Sequence, residues 1–297
     1  MAARTETRPP ISPYLGMAVG TLVVSTAAIA IRYAQRDAPS LSIAAWRLTL
    51  ASLLLAPIAL SRHRDELAQL TRSELARATV SGLLLAVHFA AWIRSLELTS
   101  VAASVVLVST NPLFVGLLSP FFLGEAVTRT MLGGILVAVA GSGVIALGDV
   151  GGGNAPLTGD LLALVGAVSV AGYMMIGRTL RRRLSLLTYI FVVYGVAAVA
   201  LLTAAGLGRQ PMSGFAPQTY ACLLYLALGP QLLGHTSFNW ALRYLSAAYV
   251  TVTLLSEPVG SALLAWLLLQ EPPTGFELCG GALILLGVAI ASRAERG

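Results

Sequence analysis

Clusters of turn residues and arginines cut this chain into ten apolar runs, each close to the ~20 residues a helix needs to cross a hydrocarbon core of ~30 Å. Their approximate cores are 14 to 34, 41 to 60, 76 to 96, 101 to 123, 129 to 148, 158 to 179, 186 to 206, 218 to 242, 247 to 269 and 275 to 292. The joints after the third and eighth runs are marked only by Glu97 and Arg243. A chain patterned in this way is expected to be an all-α integral membrane protein. Composition agrees, with 57% apolar and 11% charged residues against roughly 45–50% and 25% in a soluble domain.

Arginine placement orients the runs. With the amino terminus inside the cell, the inside segments carry fourteen arginines (4, 8, 62, 64, 72, 77, 129, 178, 181, 182, 183, 243, 293 and 296), and the outside segments carry four, Arg32, Arg36, Arg94 and Arg209. That bias follows the positive-inside rule and predicts a multi-pass membrane protein with both termini cytoplasmic. The arginines sort by side and form no basic patch, so the +6 charge does not point to nucleic acid. All nineteen basic residues are arginine, which leaves no lysine for a Schiff base with retinal or pyridoxal phosphate, and no cofactor is expected. The first dozen residues lead into an apolar segment too long for a signal-peptide core, read here as a retained first span. Cys222 and Cys279 fall inside apolar runs and are expected to be buried, reduced thiols.

The sequence repeats. "NPLFVGLLSPFFLGE" (111 to 125) and "EPVGSALLAWLLLQE" (257 to 271) each set a polar residue before proline and a glutamate thirteen positions after that proline, at an offset of 146. The same offset carries Gly20 onto Gly166, Arg32 onto Arg178 and Ser100 onto Ser246. Each half holds five runs, an odd number, so the second half must enter the membrane in the opposite sense. The expected architecture is ten transmembrane helices in two inverted five-helix repeats: 1–148, a Gly-rich external linker at 149–157, and 158–297, integrated in one membrane domain. Repeats of this kind build alternating-access carriers, whose sites lie near the midplane beside broken helices.

Those motifs, with "GGALILLGVAI" late in the second half, resemble the drug/metabolite transporter superfamily in its EamA-type branch, over nearly the whole chain. The resemblance implies a secondary carrier of small organic metabolites with a central cavity formed mainly by helices one, three, four, six, eight and nine. Within that branch the chain looks most like bacterial exporters of amino acids, those of aromatic amino acids included.

Polar side chains inside spans usually face the bundle interior. Three stripes at helical spacing stand out: Ser81, His88, Trp92 and Ser95; Gln231, His235 and Asn239; and Tyr249, Thr253, Glu257 and Ser261. The expected substrate-binding residues are His88, Trp92, Asn111, Tyr173, His235, Phe238, Asn239, Tyr249 and Thr253. Glu257, Pro258, Pro112 and Pro230 are assigned to coupling or gating. Glu257 has two readings, a membrane carboxyl that takes a coupling proton or a substrate ammonium, and a structural group that organises the turn beside Pro258. His88 and His235 could relay a proton, bind a carboxylate, or simply pack between helices. Trp92, Tyr173, Phe238 and Trp240 offer an aromatic wall or ordinary helix packing. The prolines, Pro120 included, could be gates or static kinks. Arg47, the one clearly intramembrane arginine, is expected to snorkel outward or to pair structurally. Gly134 with Gly141, and Gly280 with Gly287, could serve packing within the chain or a homodimer. No pair of ligand residues at i, i+3 or i+4 spacing inside the spans supports a metal.

The expected function is a secondary active transporter, an exporter of small zwitterionic or neutral metabolites, amino acids foremost, working by alternating access. Its partners are then a small-molecule substrate and the lipid bilayer, as monomer or homodimer. A passive facilitator and an exporter of drugs or amphipathic amines are the competing readings of the same fold. A membrane enzyme is disfavoured, because the chain has no HExxH helix, no G-x-S-x-G elbow, no phosphate-binding GxxxxGK[ST] loop and no long cytoplasmic loop.

Overall fold

The computed structural model describes residues 9, 11–147, 154–264 and 274–296, and every regular element among them is helical. In chain order these are α1 (Pro13–Val24), α2 (Ala27–Ala34), α3 (Ser40–Arg62), the short α4 (Arg64–Ala68), α5 (Arg72–Leu98), α6 (Val101–Val108), α7 (Asn111–Phe122), α8 (Arg129–Leu147), α9 (Pro156–Arg181) and α10 (Leu186–Leu207). There follow α11 (Pro217–Leu226), a π-helical segment Ala227–His235, α12 (Thr236–Ala241), α13 (Ala247–Leu254), α14 (Glu257–Leu264) and α15 (Gly275–Arg296). Eight stretches are long and apolar enough to cross a bilayer: Pro13–Ala34, Ser40–Arg62, Arg72–Leu98, Ala103–Phe122, Arg129–Leu147, Pro156–Arg181, Leu186–Leu207 and Leu278–Glu295. Ten were expected. Of the two others, 218 to 242 is interrupted by the π segment, and 247 to 269 is described only as far as residue 264. Most of the expected linker, Glu271 and the side chain of Ser261 lie outside the described residues.

Helix starts follow from local chemistry. The first amides of a helix lack intrahelical acceptors, and proline needs none. Pro13, Pro156 and Pro217 accordingly open α1, α9 and α11. Ser100, Ser185 and Ser246 cap α6, α10 and α13 by accepting the amides of Ala103, Thr188 and Tyr249 at 3.0, 3.3 and 3.1 Å. Carboxylates from other segments complete several starts. Glu97 accepts the amide of Ser40 at 3.2 Å, Glu66 that of Ser185 at 2.7 Å, Asp37 that of Ala216 at 2.7 Å and Glu295 that of Ser246 at 2.6 Å. An acid at a helix start also meets the positive end of its dipole.

Packing repeats at the offset of 146. Arg32 Nη1 donates to the Leu96 carbonyl at 2.8 Å, and Arg178 Nη1 to that of Leu242 at 2.8 Å. Gly20 lies against the Gly234 carbonyl and Gly166 against that of His88, so the crossing of α1 with the α11–α12 stretch recurs as that of α9 with α5. A methyl group on Gly134 would stand 2.7 Å from the Gly287 carbonyl oxygen, and one on Gly141 would stand 2.6 Å from that of Gly280. Contacts therefore run backward along α15 as they run forward along α8, and all four glycines serve packing inside the chain. Cys279 is exposed on the outside of α15 and Cys222 half-buried, so the expectation of two buried thiols does not hold. The outward faces carry large apolar residues such as Phe121, 81% exposed, as lipid contact requires.

The helix breaks repeat in part. α6 stops and α7 starts around Ser109–Thr110, and α13 and α14 meet around Leu255–Ser256, in each case just before an acid or amide followed by proline. Two irregularities have no counterpart. The break between α1 and α2 falls where α9 runs unbroken, and the π segment falls where α5 is regular. Leu84 stands where the second half has Pro230, and a proline inside a helix removes one donor and crowds the preceding turn.

Candidate functional site

The broken helices bring five of the expected site residues to one place. His88 and Trp92 of α5, Asn111 at the start of α7, His235 at the end of the π segment and Glu257 at the start of α14 line a central cavity with Val24, Val108, Ser109, Val170 and Leu254. Its volume is about 30 Å³, room for a water molecule or two. All five polar or aromatic residues are buried, inside a bundle whose outer surface is apolar.

One wall is a stack of rings. The His88 and Trp92 rings lie 5.9 Å apart and nearly parallel, the two imidazoles are 6.3 Å apart, and Phe89 meets His235 edge-on at 5.2 Å. His88 Nδ1 lies 2.9 Å from the Gly166 carbonyl, which can only accept, so Nδ1 carries a proton and Nε2 is left for other partners. Several polar atoms of this wall have no hydrogen-bond partner among the described residues: Trp92 Nε1, Asn111 Oδ1 and His235 Nδ1. Asn111 spends its amide on the Val108 carbonyl at 3.1 Å, which ties it to the break it follows. The Glu257 side chain makes no hydrogen bond to another described residue, while its neighbours Leu255 and Ser256 close the turn onto Val252 and Thr253. Unsatisfied donors, an acceptor and a carboxylate around an apolar cavity are what a small polar solute would complete.

The other expected binding residues stand behind that wall. Asn239 Nδ2 lies 2.5 Å from the Tyr173 hydroxyl and 3.2 Å from that of Tyr194, and it also reaches the His235 carbonyl at 2.9 Å. Tyr173 and Asn239 thus brace the π segment and do not face the cavity. Phe238 packs on His235 at 5.7 Å, Tyr249 meets Tyr14 edge-on at 5.6 Å, and Thr253 returns its hydroxyl to the Tyr249 carbonyl. Pro112 and Pro258 open α7 and α14 just past the paired breaks, and Pro230 lies in the π segment.

Arg47 does not snorkel. It is 0% exposed, with Nε bonded to Gln231 Oε1 at 2.9 Å and its guanidinium over the Phe89 ring at 4.1 Å. Phe89 and Tyr194 were not among the expected site residues either. An apolar phenylalanine has no mark in a sequence of apolar helices, whereas the lone arginine inside a span is visible there, and of its two expected placements the structure shows the structural pairing.

A second cleft, about 460 Å³, opens where α5, α7 and α9 meet, lined by Arg77, Leu118, Phe122, Leu123, Gly172, Met175, Ile176 and Thr179. It is larger than the central cavity but carries few polar groups. Beside it Gly124, at φ 65°, takes the left-handed turn that glycine adopts freely. The next residue, Glu125, then bonds Arg178 Nε at 2.6 Å and Arg182 Nη2 at 2.7 Å.

The EamA-like transporter family matches the chain twice, over residues 11–147 and 157–293. A probable terminal-alkyne amino-acid exporter of Streptantibioticus cattleyicolor is 32% identical over 195 residues, 64% of this chain and 64% of that protein, so the chain spans just under two thirds of its length. The pseudopaline exporter CntI of Pseudomonas aeruginosa is 25% identical over 90% of this chain and 91% of its own. An uncharacterized transporter of Archaeoglobus fulgidus is 27% identical over 89% and 92%. A solved crystal structure superposes with a TM-score of 0.79 at 20% identity, over 97% of this chain and 100% of its own, which is a likeness of fold.

Proposed function

This chain belongs to the EamA-like transporter family, and from that premise we propose that it is a secondary active exporter of small zwitterionic metabolites, amino acids foremost. In this reading ten transmembrane helices form two inverted five-helix halves, 1–148 and 158–297, joined by an external linker. The protein sits in a bacterial inner membrane with both termini cytoplasmic and exposes one central site to each side in turn.

One observation carries the reading. His88, Trp92 and Asn111 from the first half, and His235 and Glu257 from the second, line the same small cavity, beside breaks that recur at 109–110 and 255–256. Rigid halves that hinge at such breaks would widen this cavity from one side or the other. The lining has one carboxylate, two imidazoles, an indole and an amide, a set suited to a partly apolar zwitterion and poorly suited to a polyanion. The name of the exporter from Streptantibioticus cattleyicolor is in keeping with amino-acid cargo.

The test is counterflow in proteoliposomes, with labelled amino acids outside and a panel of unlabelled amino acids and amphipathic amines inside. A carrier gives saturable, trans-stimulated uptake for at least one amino acid and no unitary currents in a planar bilayer. Flux for amines alone would reassign the cargo, and the absence of saturable flux across the panel would overturn the proposal.

A further inference from the structure

Arg47 is a wholly buried cation, in a bilayer-length helix, whose charge is only partly met. Nε is satisfied by Gln231, and the guanidinium lies on the face of Phe89, a cation–π contact that strengthens when desolvated. Nη1 and Nη2 have no hydrogen-bond partner among the described residues, and no described carboxylate forms an ion pair with them. An ion removed from water without a partner costs several kcal/mol. The group left open is a planar fork of two nitrogens, which matches two oxygens in one plane.

We propose that Arg47 anchors the carboxylate of the cargo while the Glu257 carboxyl receives its ammonium, so that the two buried groups together read a zwitterion. The inference rests on the carrier reading above and adds a specificity-determining residue to it. Arg47 lies one ring behind the cavity. Phe89 touches its guanidinium on one side and His235 on the other, and His235 shares the cavity lining with Glu257.

The layer between them sits on an irregular turn. His235 and Gln231 both ride on the π segment Ala227–His235, and a π turn holds one residue more than an α turn, so a change of register carries both side chains together. His235 Nδ1 has no hydrogen-bond partner among the described residues, and Gln231 is held by its bond to Arg47 beside the Tyr194 hydroxyl. A carboxylate arriving at Arg47 would compete for that guanidinium and release the layer.

The experiment measures competition in proteoliposomes, with each amino acid that drives counterflow set against its decarboxylated amine and its amide. Phenylalanine, phenethylamine and phenylalaninamide form one such set. The wild type is expected to prefer the acid by about tenfold or more, a difference of about 1.4 kcal/mol. Arg47→Met should erase that preference while leaving inhibition by the amine in place, and Arg47→Lys should keep part of it. If Arg47→Met does not fold, as judged by its thermal unfolding in detergent, the acid-to-amine ratio of Arg47→Lys decides. An acid-to-amine ratio unchanged in the folded variants, or equal losses for acid and amine, would overturn the inference and leave Arg47 a packing residue. If no amino acid drives counterflow in the wild type, the amino-acid cargo of the proposed function fails, and that result is distinct from either.

Discussion

Glu66 and Glu257 show how much one carboxylate differs from another in this chain. Burial raises the pKa of Glu66, but hydrogen bonds from Ser185, Thr188 and His63 outweigh it and hold the carboxyl down at about 2. A carboxyl lowered on folding stabilises above its unfolded value near 4.5, and the contribution disappears as pH falls toward 2. Glu66→Ala should therefore lower the unfolding temperature at pH 7 by the equivalent of about 1 kcal/mol, the usual worth of a helix cap. Melting curves of variant and wild type in detergent should converge as pH drops through that window; a constant gap would reject the assignment. Glu257 caps nothing among the described residues and lines the cavity. Glu257→Gln keeps its shape and removes its charge, so counterflow should fall about tenfold or more, against a smaller loss for Asn111→Ala. Initial rates decide, and a wild-type rate in the glutamine variant would return Glu257 to a purely local role at the break. Glu257 and Asn111 are legible as polar positions in apolar runs, but which of its two expected placements Arg47 takes is not, because direction around a helix depends on neighbours that only tertiary packing supplies.

At the scale of elements, the paired breaks were legible from Asn111-Pro112 and Glu257-Pro258, since a proline's missing amide and fixed φ act within a single turn. The π segment was not. Gln231, His235 and Asn239 were read at α-helical spacing, whereas five-residue turns carry the first part of that stretch, and no local residue pattern separates the two windings. Pro230→Leu restores the residue type of the first-half counterpart, Leu84. An uninterrupted α-helix should then form, shifting His235 against Phe89, with transport lost and thermal stability kept or raised. Uptake rate and unfolding temperature measured on one preparation check this, and retained transport would remove the π turn from the mechanism. The glycine seam predicts the reverse. In Gly280→Val even the first side-chain carbon would meet the Gly141 carbonyl oxygen at 2.5 Å, and overpacking of this kind typically costs about 1–3 kcal/mol. That variant should unfold earlier whatever its transport, and an unchanged melting temperature would place the packing of α8 on α15 elsewhere.

For the whole molecule, eight of the ten expected spans and the repeat are legible from residue spacing, because lipid imposes one length on every span. The size of the central cavity is not, since it depends on how closely the halves sit. At about 30 Å³ it is too small for an amino acid in this conformation, so the proposed carrier requires the halves to part before cargo enters. The α7–α9 end is held by Glu125, which bonds Arg178 and Arg182 together and lies two residues past Leu123 in the wall of the larger cleft. Glu125 and Arg178 are mostly buried, so breaking the pair should bias the equilibrium by one to two kcal/mol, about five- to thirtyfold in population. Glu125→Gln should therefore open this end. With Cys222 and Cys279 replaced and Met175→Cys as reporter in the cleft, modification by a membrane-impermeant maleimide should accelerate at least several-fold from the side of the termini. Labelling from the opposite side should not rise with it, because a carrier that opened both ends at once would leak. Equal acceleration from both sides would mean that the ion pair supports the bundle without taking part in a two-state exchange.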